Sequence, residues 1–395
     1  MNQPQAKPQA RTPVQGTPSP IDTRLTRLLG MALPVLQAPM AGSQGSELAL
    51  AVCAAGGLGS LPAATLAPAT LEAELKRLQA EARGPYNVNF FCHAPPPFEP
   101  AREARWQQLL APLYDEMKLS MPAGPAVAAR APFTAEVADL LEPFKPPVLS
   151  FHFGLPSPAL VDQLKRWGSK IMSSATTLEE GLWLQEHGAD VVIAQGLEAG
   201  GHRGMFLSND LGTQVGTLAL VQQLRDRLTV PVVAAGGVAD ASGVAAARTL
   251  GADGVQVGTA YLLCPEAATL PLHRAALCGP GVHETALTNL FTGRPARGVV
   301  NRFMRELGEH SVGMNSHAPA FPLATTHMAP LRSHAEAQGS GEFSPLWAGQ
   351  NAARSAALHA GYAQREQPAP EMNSPAAHTG MPAGELTRLL ATGWA

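Results

Sequence analysis

The sequence predicts an α/β fold: a (β/α)8 TIM barrel with a helical insertion after its third strand and a helical and loop-rich C-terminal region. Two observations carry that expectation. From residue 21 onward, short apolar runs of strand length alternate with longer stretches of helical periodicity, as repeated βα units of a parallel sheet require. The runs number eight and no GxGxxG opens the first helix, so a closed barrel fits better than an open doubly wound sheet.

The first strand is read at 35–38, where Pro39 must end the pairing, and the second at 57–61, after a helix at 47–55 closed by Gly56. A helix at 71–82 leads into the third strand, 86–91, YNVNFF. Its alternation turns Val88 and Phe90 to the helices and Asn89 to the barrel mouth. Residues 93–146, opening HAPPPFEP, exceed an ordinary connection and predict a helical excursion over one end of the barrel. The fourth strand, 147–152, runs into SFHFG, where alternation sets Ser150, His152 and Gly154 opposite the two phenylalanines. Four further strands follow at 170–173, 190–194, 231–235 and 254–257, with helices at 158–167, 177–187, 216–228 and 241–250. Beyond residue 265 the repeat stops, and the extension 265–362 joins the barrel domain, 21–362, without a second independent core. Residues 1–20, rich in Pro, Gln and Thr, predict a disordered lead with no apolar h-region. Residues 363–395 predict a mostly mobile tail with a short helix at 383–391.

Composition narrows the function classes. A chain of 395 residues, 45% hydrophobic, can bury a sizeable core. A formal net charge of -3 offers no basic excess for a phosphate backbone, so no nucleic-acid partner is expected. No window supplies about 20 unbroken apolar residues, so no membrane span is expected. Cys53, Cys92, Cys264 and Cys278 form no CxxC pair, which suits a reduced, cytoplasmic chain and argues against a metal site.

A barrel of this kind places its chemistry at the C-terminal ends of the strands and often holds phosphate after strands seven and eight. Both positions carry glycines here: Gly236 and Gly237 in AAGGV, then Gly258 and Thr259 in QVGTAY. Without Cβ atoms, backbone N–H groups there can close on an anion. A glycine after a strand is by itself only a turn; the placement of both pairs makes the phosphate reading. The sixth strand runs into GADVVIAQGLEAGGHRG, the densest polar and glycine cluster in the chain. Gln195 ends that strand, Gly200 and Gly201 loosen the backbone, and His202 follows on the same loop, where an imidazole can take or give a proton. Glu198 and Arg203 read either as solvated loop charges or as partners fixing the loop. Met40 would project over the mouth, or merely fill the core, and Asn89 needs partners that a planar heterocycle could supply. His152 reads as a candidate for substrate contact or for support of the site, the alternative being a satisfied core histidine.

Taken together, QAPMAG, GGLGSL, NVNFF, SFHFG, QGLEAGGHRG, AAGGVAD, QVGTAYL and PLWAGQ resemble the class I nitronate monooxygenases, formerly 2-nitropropane dioxygenases, over about residues 24–354. The resemblance implies a barrel with non-covalent FMN that oxidises alkyl nitronates such as propionate 3-nitronate with O2 to a carbonyl product and nitrite. By that resemblance Gln37, Ala38, Pro39 and Met40 pack by the flavin ring. Asn89, Gln195, Gly200, Gly201, Gly236, Gly237, Gln256, Val257, Gly258 and Thr259 bind FMN, and His202 matches the catalytic histidine. An NAD(P)H-dependent quinone or enoyl-thioester reductase on the same barrel is the competing reading, because the glycines fix the phosphate and not the electron donor. A non-catalytic phosphate-binding barrel is a third, and a colourless purified protein would support it.

Overall fold

A computed structural model describes residues 21–124, 126, 130–309, 313–366 and 380–394. The lead expected over 1–20 lies outside them, as does 367–379 of the expected tail. Among the described residues, eleven strands run in chain order as β1 (Val35–Gln37), β2 (Gly59–Pro62), β3 (Tyr86–Phe91), β4 (Val148–His152), β5 (Lys170–Ala175), β6 (Val191–Gln195), β7 (Gly201–His202), β8 (Val232–Ala235), β9 (Gly254–Val257), β10 (Thr285–Thr288) and β11 (Ala296–Val299). Eight of them form one parallel sheet in the order β1-β9-β8-β6-β5-β4-β3-β2. The ring closes where Gln37 N–H donates to the Leu58 carbonyl at 3.0 Å and Leu58 N–H to that of Val35 at 3.0 Å. The fold is therefore the (β/α)8 barrel that the alternation predicts.

Alternation along the strands decides what each face buries. Leu36, Val148, Met172, Val191, Ile193 and Val233 pack together with Leu25, Leu29 and Met31 in one cluster. Leu25 and Leu29 belong to a helix, Arg24–Leu29, for which the sequence offers no strand-to-strand role; it stoppers the barrel at the N-terminal ends of the strands. Thr23 caps that helix with a reciprocal capping box, and Gly30 ends it in the left-handed region at φ 71°. On the other face, Val35, Val192, Ala234, Val255 and Val257 pack against helix residues such as Leu48, Leu220, Leu224 and Val244.

The insertion and the C-terminal extension build a satellite cluster jointly. Trp106, Leu110, Leu113 and Tyr114 of the helix Pro100–Glu116 meet Leu290, Phe291, Phe303, Met328 and Leu331 of the extension. Neither segment carries enough apolar surface to bury itself alone, which explains why neither reads as a core in sequence. Tyr114 donates its hydroxyl to the His327 carbonyl at 2.7 Å, and the buried Glu103 carboxylate lies 2.9 Å from His327 Nδ1. The extension also supplies β10 and β11, which pair antiparallel with each other and carry β7 at the edge of a three-stranded sheet.

The expected tail divides. The short helix expected within it is Ala383–Ala391: Leu386 and Leu390 are fully buried in the outer core with Leu48 and Val52, and Thr387 Oγ1 lies 2.8 Å from the Tyr261 hydroxyl. Burial of the apolar face of a short helix overrides the low complexity of the chain before it. Among the described residues, no helix is long and apolar enough to cross a membrane.

Candidate active site

One cavity opens at the C-terminal ends of the barrel strands. Ala38, Pro39, Met40, Asn89, His152, Gln195, Gly200, Gly201, His202, Gly236, Gly237, Gln256, Gly258 and Thr259 all border it, although they come from seven strands and the loops after them. Two expected residues do not. The pleat of β1 turns Leu36 into the barrel and Gln37 away from it, so the Gln37 amide is buried, accepting from Ser60 N–H at 2.9 Å and donating to Gln44 Oε1 at 2.7 Å. Val257 likewise faces the outer core, while its neighbour Gln256 faces the cavity.

The floor of the cavity is amide-rich. Asn89 Nδ2 donates to the Ser150 hydroxyl at 2.9 Å, which leaves its Oδ1 without a protein partner among the described residues. Gln256 Oε1 is buried and also lacks a partner. A buried amide oxygen left bare is costly, so Gln256 Oε1 at the border of the cavity marks a place where a ligand donates a hydrogen bond. On the far wall, Gly236 and Gly237 take φ values of 112° and 74°. A Cβ at Gly236 would come within 2.9 Å of Ala199 N, so only glycine permits both the backbone turn and the approach.

His202 departs from the loop expected for it. It sits on β7, paired with Ala296 of β11, and Arg203 N–H donates to the Pro295 carbonyl at 2.8 Å. Its Nε2 lies 2.9 Å from Thr292 Oγ1, while Nδ1 has no protein partner among the described residues. Gln195 folds the segment back on itself, donating through Nε2 to the His202 carbonyl at 2.8 Å and accepting Gly204 N–H at 2.7 Å. His152 shares that carbonyl: its Nε2 donates to it at 3.1 Å, and its Nδ1 accepts from Ser174 Oγ at 3.1 Å. This pattern makes His152 a neutral ring that positions His202. Burial pushes His152 down to about 4. Burial first, and then the nearby Arg130, His152, Arg294 and His93, hold His202 well below the usual histidine range, so it is neutral at pH 7.

The two uncertain charges of the sixth-strand loop resolve as fixing partners. Arg203 is fully buried, donating to the carbonyls of Gly196 at 2.6 Å and Gln195 at 2.7 Å. Glu198 accepts Thr217 N–H and Oγ1–H, each at 2.8 Å. Its carbonyl accepts Gln350 N–H at 2.9 Å, which ties the loop to the segment 345–351. That segment crosses the mouth: Gly349 N–H donates to Thr259 Oγ1 at 3.0 Å and Asn351 Nδ2 to the Gly237 carbonyl at 2.9 Å.

Side chains that the sequence did not single out surround His202. The ring of Phe321 lies 5.4 Å from that of His202, and Trp347 5.5 Å from it. Phe153 breaks the alternation expected of SFHFG, taking φ 72° and turning its ring to within 5.1 Å of Phe91. Arg130 of the insertion also borders the cavity. Trp347 belongs to the PLWAGQ motif; nothing local in the sequence marks Arg130 or Phe321, which reach the site only through the packing of the insertion and extension. A second concavity, at the N-terminal ends of the strands, is lined by charges that pair with each other, Arg24 and Asp253 at 2.8 Å.

Comparison with known proteins agrees with this geometry. A family model described as nitronate monooxygenase matches residues 22–360. A nitronate monooxygenase of Pseudomonas aeruginosa is 41% identical over 336 residues, covering 84% of this chain and 93% of that one. One from Paraburkholderia phytofirmans is 37% identical over 344 residues, covering 85% and 91%. Among solved structures, a nitroalkane oxidase from Streptomyces ansochromogenes superposes with a TM-score of 0.79 at 35% identity, covering 94% of this chain and 97% of that one. FabK from Thermotoga maritima, at 24% identity and a TM-score of 0.67 over 95% and 96% of the two chains, shares the fold. The chain is an oxidoreductase and belongs to the nitronate monooxygenase family.

Proposed function

We propose that this chain binds FMN and oxidises alkyl nitronates, propionate 3-nitronate among them, with O2 to a carbonyl product and nitrite. The observation that carries the reading is the juxtaposition in one cavity of a neutral histidine with a free Nδ1, a buried amide oxygen without a partner and a left-handed glycine pair. These residues fit a flavin mononucleotide. Gly236 and Gly237, with Gly258 and Thr259, would hold its phosphate on backbone N–H groups, and Asn89 and Gln256 would meet the polar edge of its ring. When bound, the flavin supplies the redox chemistry, accepting electrons from the nitronate and delivering them to O2.

The chain's own contribution is placement. A nitronate is already an electron-rich carbanion equivalent, so no strong base is required. Neutral His202 hydrogen-bonds a nitronate oxygen, or accepts the α-proton when a neutral nitroalkane is the substrate. Thr292 holds the ring, and the hydrogen bonds of His152 and Gln195 to the His202 carbonyl hold its backbone. Phe91, Phe153, Phe321 and Trp347 keep water from the reacting end. The test is oxygen consumption by the purified holoprotein with propionate 3-nitronate and no pyridine nucleotide, together with the flavin spectrum. Nitronate-dependent uptake with release of nitrite is expected; NAD(P)H oxidation without nitronate would instead favour a reductase.

A further inference from the structure

Glycine-rich backbone that is to close on an anion has to be ordered first, and the entropy of that ordering weakens binding unless something outside the cavity supplies it. The turn Thr259–Leu263, which follows β9 and Gly258, is held from behind. His359, on the helix Ala352–Glu366, donates Nε2–H to the Ala260 carbonyl at 2.8 Å and accepts Met381 N–H on Nδ1 at 2.9 Å. Both bonds are buried, and together they require a neutral ring with one fixed tautomer. Thr387 donates its hydroxyl to the Ala383 carbonyl at 2.8 Å, so the fully buried Tyr261 hydroxyl, 2.8 Å away, is the donor to Thr387 Oγ1. Glu266, just past the turn, accepts Ala383 N–H at 3.1 Å, and a Cβ at Gly380 would clash with the Leu263 carbonyl oxygen. The other glycine pair, Gly236 and Gly237, leads into the helix Ala241–Thr249, and the same end of the chain packs on it. Arg354 pairs with Asp240 at 2.5 Å, and a Cβ at Gly393 would clash with the Ala241 carbonyl oxygen. His359, Tyr261, Thr387 and Arg354 are not among the residues that border the cavity. Gly380, Met381, Thr387 and Gly393 lie past residue 360, where the family match ends.

We propose that the C-terminal segment 380–394 is a brace for the phosphate end of the flavin site, with His359, Tyr261 and Thr387 as positioning residues that set FMN affinity without touching the cofactor. The proposal rests on the FMN reading of the cavity. By holding the Ala260 carbonyl and the Tyr261 side chain, the brace keeps the backbone after β9 in one arrangement in the empty protein, so less order has to be imposed when the phosphate arrives. Asn89 and Gln256, which would meet the ring, take no part in these bonds. The brace therefore acts on the phosphate end and leaves recognition of the ring alone.

The experiment titrates the full-length chain, stripped of flavin, with FMN and with riboflavin, which has the same ring and no phosphate. Thr387→Val and Tyr261→Phe each delete one bond to the turn with little change of shape, His359→Leu deletes two, and His359→Gln restores a donor and an acceptor. Leu75→Ala, in the separate apolar cluster with Leu71 and Leu78, controls for lowered stability alone. The ratio of riboflavin Kd to FMN Kd is expected to fall about tenfold in His359→Leu, less in His359→Gln and the single-bond variants, and not in Leu75→Ala. An unchanged ratio, whether both affinities hold or both fall together, would overturn the proposal, as would an equal fall in Leu75→Ala or a wild type that binds both flavins alike. Should His359→Leu not fold, Thr387→Val and Tyr261→Phe decide by the same ratio. If the wild type binds neither flavin, the FMN reading fails, and inorganic phosphate titrated by calorimetry decides on the brace: weaker binding in Thr387→Val than in the wild type supports it, and equal binding or none overturns it.

Discussion

In the proposed reaction His202 would act through a ring nitrogen that no protein group occupies among the described residues, and through a neutral charge state that burial imposes. Replacing it with Asn keeps a polar side chain on β7 but removes the imidazole. Turnover should fall about 10²- to 10⁴-fold with flavin content unchanged, as stopped-flow and absorbance spectra will show; wild-type turnover in H202N would remove His202 from the chemistry. His152 tests a different role. Its Nε2 holds the His202 carbonyl, and its own pKa of about 4 keeps it a neutral donor. H152L deletes that bond, so kcat should drop less than in H202N while KM is little changed. A pH profile of the wild-type enzyme should show no ionisation of His202 near 6.5, because its folded value lies well below that.

The mouth of the cavity is made where two elements pass almost in contact. A Cβ at Gly200 would stand 2.6 Å from Ala348 C and Gly349 N, far inside van der Waals contact. Gly200→Ala should therefore push the segment 345–351 outward and strain its bonds to Thr259 and Gly237, lowering flavin affinity at least about tenfold while the barrel stays folded. Equilibrium dialysis of FMN checks it. The C-terminal helix makes a prediction of the opposite kind. Leu386 is fully buried against the barrel's outer core, so Leu386→Ala should cost about 2–5 kcal/mol in urea unfolding without altering KM.

For the molecule as a whole, three buried histidines tie stability to pH. His152, His273 and His359 are each lowered to about 4, chiefly by burial, from 6.5 in the unfolded chain. Between those values the unfolded chain binds more protons, so stability is fully present above pH 6.5 and is lost as pH falls toward 4. Each group contributes at most roughly 3 kcal/mol. The urea midpoint should fall steadily from pH 7 to pH 5; a flat profile would mean that these rings do not stay neutral in the folded state.

The order of strands and helices was legible because each βα unit carries its own signal: a period of 2 in YNVNFF, a closing glycine at Gly56, Gly188 and Gly251. The residues that follow those strands were legible as cavity candidates for the same reason, since a barrel sends every strand's C-terminal end to one face. Local pattern failed where contacts are long-range. β7, β10 and β11 are two to four residues each and exist because the extension returns to pair beside His202. Gln37 and Val257 fell on the wrong side of strands whose register with the lumen is set by closure. Arg130 and Phe321 stand 191 residues apart in the chain and bear no motif, yet they meet at one ring. The sequence by itself determined the barrel and the face that carries the chemistry, because periodicity and turn chemistry are local. Only the tertiary structure decided which side chains close that face, because packing between distant segments leaves no periodic trace in either.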